Sequence, residues 1–365
     1  MDEQPELEIE ELDDPDFTED DTNEAPPSDI VAFNELRSCA DLYRMFDKGI
    51  LDIQPEFQRD FVWPAGAQTR FIDSLIKQLP IPSMCFALDY KRDRWIVIDG
   101  LQRMSTITRF LQGSDWRLSK LDDTDPRLGG KSAAHFKNAE GADKALFSRV
   151  ENQSLPINVL RCDFSKKAHK EYLFTIFHRL NSGGSKLNNQ EIRNCIYGGP
   201  LNDLLKDLDT YPAWRKLNRM EPDKNYRFVK QEMILRYFAF KNDLGKYKGQ
   251  VAKFLNDYMH ENQSPPQERL NEMEKDFKRT IDAVVKNIFP NGPEGRIPTS
   301  VLEAMLVAVA DNIEHVEAQE PAKVKANYDA LRADDNFRDE AVAEGLSKIE
   351  KVTNRFAAAR QIFSS

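Results

Sequence analysis

Short apolar runs alternate with helical stripes through the first half of the chain. Residues 38–46 carry apolar side chains at helical spacing, with Ser38 placed to cap the first turn. Residues 50–53 read as a short strand. Pro64 suits the first turn of a helix running to about Gln78, whose stripe is Phe71, Ile72, Leu75, Ile76 and Leu79. Residues 84–88 and 95–98 read as two strands joined by the charged turn Lys91-Arg92-Asp93-Arg94. A helix from about Gln102 to Leu111 should stop at Gly113, where a left-handed cap is easiest for glycine. Residues 115–154 look polar and irregular, an insertion or mobile flap. A strand over 155–160 precedes a helix with Tyr172, Leu173, Ile176, Phe177 and Leu180 on one face. From Asn189 onward the pattern is almost wholly helical. The most apolar stretches there are 229–240 and 299–310, with an amphipathic terminal helix or helix pair over 336–363.

This pattern predicts an α+β protein: a small mixed sheet with helices, followed by a mostly helical region. The expected domains are 29–200 and 201–365, preceded by a tail of residues 1–28. That tail holds 13 Asp or Glu and no Lys or Arg, with too few apolar side chains to offset the entropy of ordering it. It reads as a disordered solubilising tail, or as an acidic arm that mimics nucleic acid. The net charge of −10 belongs to it, because 48 of the 61 acidic residues are left to face all 51 basic ones. A nearly balanced body does not exclude nucleic acid as a partner. Cys39, Cys85, Cys162 and Cys195 stand singly, as buried thiols do and zinc ligands do not. No run approaches the roughly 20 apolar residues that span a membrane, and no secretory pattern opens the chain, so a cytoplasmic protein is expected.

The candidate chemistry gathers where the 95–98 strand meets the following helix. Asp99-Gly100-Leu101-Gln102-Arg103 places a carboxylate, an amide and a guanidinium there, and Ser105 and Thr106 add two hydroxyls. Backbone N–H groups and the helix dipole favour an anion at such a join. Arg103 can offer a planar fork to phosphate oxygens, Gln102 can orient a water or bond phosphate, and Asp99 can hold a cation, a water or a ribose. Gln58-Arg59 repeats the Gln-Arg pair upstream, beside Phe57, Phe61 and Trp63. Two arginines and two glutamines would together suit a di- or triphosphate. A third cluster opens at Asn181-Ser182-Gly183-Gly184 and runs through Glu191 and Arg193. It reads either as an anion loop or as a helix–loop–helix joint with structural ion pairs. The five histidines show no metal-ligand spacing, and no His-Asn-His arrangement follows His178.

These motifs, in order, resemble the DUF262 family, the N-terminal domain of GmrSD-type modification-dependent restriction enzymes. The resemblance rests on residues 53–63, on Ile72-Asp73-Ser74-Leu75-Ile76 with Pro80-Ile81-Pro82, and on Val97 through Arg103. Phe177-His178-Arg179-Leu180-Asn181, Leu187 and Glu191-Ile192-Arg193 complete it, over roughly residues 38–200. It implies a ParB/sulfiredoxin-like fold and NTP binding and hydrolysis, with Mg²⁺, that drives DNA restriction. Asp99, Gly100, Gln102 and Arg103 match the family's Asp-Gly-Gln-Gln-Arg hallmark, and Leu101 replaces its first glutamine. The nucleotide-binding set is therefore Gln58, Arg59, Asp99, Gly100, Gln102, Arg103, Ser105, Thr106, Asn181, Glu191 and Arg193, with Asp99, Gln102 and Arg103 as the catalytic members. Nucleotide, DNA, a partner nuclease and further copies of the chain are the implied partners. The alternative is a non-enzymatic module that responds to nucleotide or DNA and regulates a partner nuclease.

Overall fold

The computed structural model describes residues 26–53, 63–180, 187–221, 228–338 and 347–365. The acidic residues 1–25, Gln58, Arg59 and Asn181 therefore lie outside the described residues. The chain divides into two compact units, Glu24–Leu187 and a helical one over Asn188–Ser365. The division falls before residue 200, because the helix Asn189–Ile196 is buried along its whole length within the helical unit.

A five-stranded mixed sheet organises the first unit. Its strands are β1 (Val31–Ser38), β2 (Leu51–Asp52), β3 (Met84–Asp89), β4 (Arg94–Asp99) and β5 (Ser154–Cys162), in the spatial order β1-β5-β3-β4-β2. β3 pairs antiparallel with β4 and parallel with β5, which explains why these central strands are apolar runs without alternation. One face carries Met84, Phe86, Trp95, Val97, Ile157 and Val159 into the main core. Helices α1 (Cys39–Asp47), α2 (Ala65–Ile76) and α3 (Leu101–Gln112) cover it with Leu42, Ile72, Leu75, Met104, Ile107 and Phe110. The expected caps are present: Ser38 Oγ accepts from the Asp41 N–H, Pro64 precedes α2, and Gly113 closes α3 in the left-handed conformation.

Two features depart from the pattern reading. Residues 115–154 are not an irregular flap, since they contain α4 (Ala133–Asn138) and α5 (Gly141–Asn152). Phe136, Leu146, Phe147 and Val150 bury against the main core, and the surrounding glycines and charges obscure their helical spacing. β1 carries little apolar alternation because it is an edge strand, exposed over most of its length and held by β5 alone.

On the opposite face of the sheet, α6 (Lys167–Leu180) packs on β4 and buries Leu173, Phe174 and Phe177. By strand alternation, Cys85, Ala87, Ile96, Ile98 and Cys162 take this side. The four cysteines are all buried free thiols.

The helical unit begins with α7 (Asn189–Ile196) and includes α10 (Val229–Asp243), α12 (Gln267–Asn287), α13 (Thr299–Asp311) and α16 (Ile349–Phe363). The intervening helices are α8 (Pro200–Asp209), α9 (Pro212–Leu217) and α11 (Val251–Glu261), with α14 (Ile313–Ala318) and α15 (Pro321–Ala333) before α16. α13 is buried from Ser300 through Ala310 against α10, α12 and α16, as expected of a helix apolar all round. No helix among the described residues is long and apolar enough to cross a membrane.

Candidate functional site at the β4–α3 join

The local sequence makes a sharp join between β4 and α3. Cys85 pairs with Asp99 while Phe86 pairs with Val97, so the ladder shifts register at Ile98. Such a bulge re-aims the residue that follows it, here the Asp99 carboxylate. Gly100 then turns the chain at φ +98° and caps α3 without a side chain. A Cβ at Gly100 would stand 2.5 Å from Met84 Cγ, so only glycine permits both this turn and this packing. Gly100→Ala is expected to lower unfolding stability by about 1–3 kcal/mol in a urea titration, from left-handed strain and overpacking together. An unchanged midpoint would contradict the close approach.

The turn leaves the first N–H groups of α3 pointing out of the helix, where a dipole favours negative charge. The first backbone bond of this turn runs from the Met104 N–H to the Gly100 carbonyl. Arg103 stands in the same turn. Its Nη2 donates to Asp99 Oδ2 at 2.8 Å, and its Nη1 donates to the Pro82 carbonyl at 2.5 Å and the Ser83 carbonyl at 3.4 Å. The Arg103 side chain is only 14% exposed. Burial pulls its pKa down and Asp99 opposes that pull; arginine remains a cation either way. A guanidinium fixed on three sides is a pre-oriented fork rather than a wandering surface charge.

Gln102 ties the join to the chain that precedes α2. Its Oε1 accepts from the Trp63 N–H at 3.3 Å, and Trp63 lies edge-on to Phe71. Asp52 is paired with Ile96 of β4. The described residues on both sides of 54–62 thus border β4 and α3. Leu101, where the resemblance expects glutamine, packs half-buried against the main core.

The other expected residues divide by burial. Ser105 and Thr106 are 3% and 0% exposed, on the inner side of α3. Thr106 Oγ1 donates to the Gln102 carbonyl at 2.7 Å, while Ser105 Oγ is buried without a hydrogen-bond partner among the described residues. Neither hydroxyl is presented to a ligand, because the apolar stripe of α3 turns both inward. Glu191 and Arg193 belong to the helical unit. Asn188 and Glu191 form a reciprocal capping box at the start of α7. Arg193 is fully buried; its Nε donates to Asn256 and its Nη1 to Glu232, each at 2.8 Å. Arg193 thus makes a structural ion pair with Glu232 and Glu191 makes a helix cap, while residues 181–186 lie outside the described residues.

Pattern reading missed Ser83 and Asn158. Asn158 Nδ2 donates to Ser83 Oγ at 3.2 Å, beside the carbonyls that hold Arg103. The available signal was a polar residue inside the apolar run 155–160, at the alternate position facing away from the core.

With this geometry in view, the family comparison is informative. Residues 40–198 match the model of the GmrSD restriction endonuclease N-terminal domain. No curated protein and no solved structure matches the chain. The GmrSD-type domain spans the whole β4–α3 join and extends through α7, so it includes both the sheet unit's site and the first helix of the helical unit. The match points to a restriction- or defence-related role associated with DNA.

Proposed function

We propose that the GmrSD-type domain binds a nucleoside triphosphate at the β4–α3 join and uses it in a DNA restriction or defence process, on a ParB/sulfiredoxin-like scaffold. The observation that carries this reading is the Arg103 guanidinium, held by Asp99 and two carbonyls in the first turn of a helix whose N–H groups open outward. In that reading Arg103 grips phosphate oxygens, Gln102 positions an oxygen or a water, and Asp99 faces the ribose or a phosphate-borne cation. Gln58, Arg59 and Asn181 are proposed to contribute from outside the described residues.

Mg²⁺ fits this donor set as a cation carried by the phosphates. Among the described residues no group of three or more His, Cys, Asp or Glu could hold a metal. One carboxylate, Asp99, together with phosphate oxygens is a common way to hold Mg²⁺, which when bound would offset phosphate charge. The proposed setting is cytoplasmic, with DNA, a partner nuclease and further copies of the chain as partners.

Leu101 favours a second reading, binding without efficient hydrolysis. Its side chain serves the core, so the position cannot orient water or bond phosphate. A nucleotide-responsive module that regulates a partner nuclease needs only the binding half. Calorimetry with each NTP and phosphate release with and without DNA separate the two readings. Leu101→Gln is expected to raise phosphate release by about tenfold or more, the scale of one positioned transition-state donor. Equal rates in both proteins would remove Leu101 as the reason for weak turnover, and an absence of NTP binding would remove the proposal itself.

A further inference from the structure

A row of paired residues leads from the join across the face of the sheet that α6 partly covers. Asp99 on β4 pairs with Cys85 on β3, Cys85 pairs with Asn158 on β5, and Asn158 pairs with Asn34 on β1. Residues paired in this way share a face, and strands lie about 4.8 Å apart, so Asn158 stands roughly 10 Å from Asp99. Cys85 bridges the gap as a neutral thiol, since burial and then Asp99 push its pKa up to about 12.

At the far end of the row the sheet is uncovered. Asn34 and Asn158 are both exposed. No side-chain hydrogen bond engages Asn34 among the described residues, and Asn158 spends one donor on Ser83. Apolar pairs flank the two amides: Leu36 with Pro156 on one side and Ala32 with Leu160 on the other. Leu36 is 74% exposed, a large apolar side chain that the fold leaves to solvent. An apolar floor with adjacent carboxamides at its centre suits a flat heteroaromatic ring that carries hydrogen-bonding groups on its edge.

We infer that Asn158 and Asn34 form the base-reading half of the nucleotide site, with Leu36 and Leu160 as its apolar floor. This rests on the reading that phosphates sit at the β4–α3 join. A base lies one ribose beyond the α-phosphate, a reach of the same order as two strand spacings. Asp99 then lies beside the ribose. The occupant is the nucleobase of the bound NTP.

Calorimetric titration of the full chain with ATP, GTP, CTP, UTP and inorganic tripolyphosphate tests the assignment. Asn158→Ala and, independently, Asn34→Ala are expected to weaken the preferred NTP about tenfold and to flatten discrimination among bases. Tripolyphosphate affinity should stay at the wild-type value in both. Unchanged NTP affinity in both variants, while Arg103→Ala weakens NTP and tripolyphosphate alike, would overturn the base-reading role and leave the phosphate site standing. A parallel fall in tripolyphosphate affinity would show Asn158 acting through Ser83 on the phosphates, which also overturns it. If Arg103→Ala changes neither ligand, or the wild-type chain binds no NTP, the phosphate site and the base-reading role fall together.

Discussion

Replacing Arg103 with alanine is expected to weaken NTP binding by about 100-fold or more, while the chain stays folded. The magnitude follows from the bonds at stake: a charge-assisted hydrogen bond contributes roughly 1.5–3 kcal/mol, and a bidentate grip on phosphate loses two. Stability should change little by comparison. The main core beneath α3 is built from Met104, Ile107 and Phe110, none of which the substitution touches. Some loss is expected because Arg103 also tethers the Pro82 and Ser83 carbonyls at the start of β3. Lysine should restore little, since a point charge cannot keep Asp99, two carbonyls and a phosphate in one plane. Calorimetry on the folded Arg103→Ala protein decides the matter, and wild-type affinity there would refute the phosphate site.

Arg193→Ala should do the reverse, costing stability and sparing nucleotide affinity. Arg193 is 1% exposed and donates to Glu232 and Asn256; Glu232 also receives Arg236, which reaches on to Glu303. The network joins α7, α10, α11 and α13. Burial pulls the Arg193 guanidinium down in pKa, while Arg236 and Arg193 hold the Glu232 carboxyl below its usual range despite its own burial. Removing one member of a buried charged network strands its partners and typically costs about 3–5 kcal/mol. Urea denaturation should report a loss of that size, and for a unit of this length a melting shift on the order of 10 °C. Nucleotide affinity per folded molecule is expected to match wild type. A selective loss of binding with unchanged stability would return Arg193 to the nucleotide site.

These two arginines show what sequence reading can and cannot separate. Both sit near a helix start, beside polar residues, and both match positions in a family pattern. Arg103 finds Asp99 four residues away, so its partner and its place in the first turn were legible from the motif. Arg193 finds Glu232 and Asn256 at separations of 39 and 63 residues, and no local pattern announces such partners. Ser105 and Thr106 are buried for a related reason. Their hydroxyls suit a phosphate in isolation, but the phase of α3, set by Met104, Ile107 and Phe110, turns them inward.

The same division holds for the fold. Ser38, Pro64 and Gly113 act within one helical turn, and each ends or begins a helix where the chain reading put it. β3 and β4 were visible because central strands must be apolar on both faces. β1 was not, because an edge strand exposed on most positions needs no such pattern; its pairing with β5 supplies the reason it is a strand. The helices α4 and α5 emerge only when Phe136, Leu146, Phe147 and Val150 have a core to enter.

By itself, then, the sequence determined the resemblance over residues 40–198, the α+β character, the caps and the Asp99–Arg103 join, since each depends on residues close together along the chain. Tertiary structure alone decided which polar groups share a face or a network. Cys85 and Asn158 come to Asp99 through strand pairing, Leu101 goes to the core, and Arg193 goes to a buried cluster. Strand register and desolvation act across distances along the chain that no local motif spans.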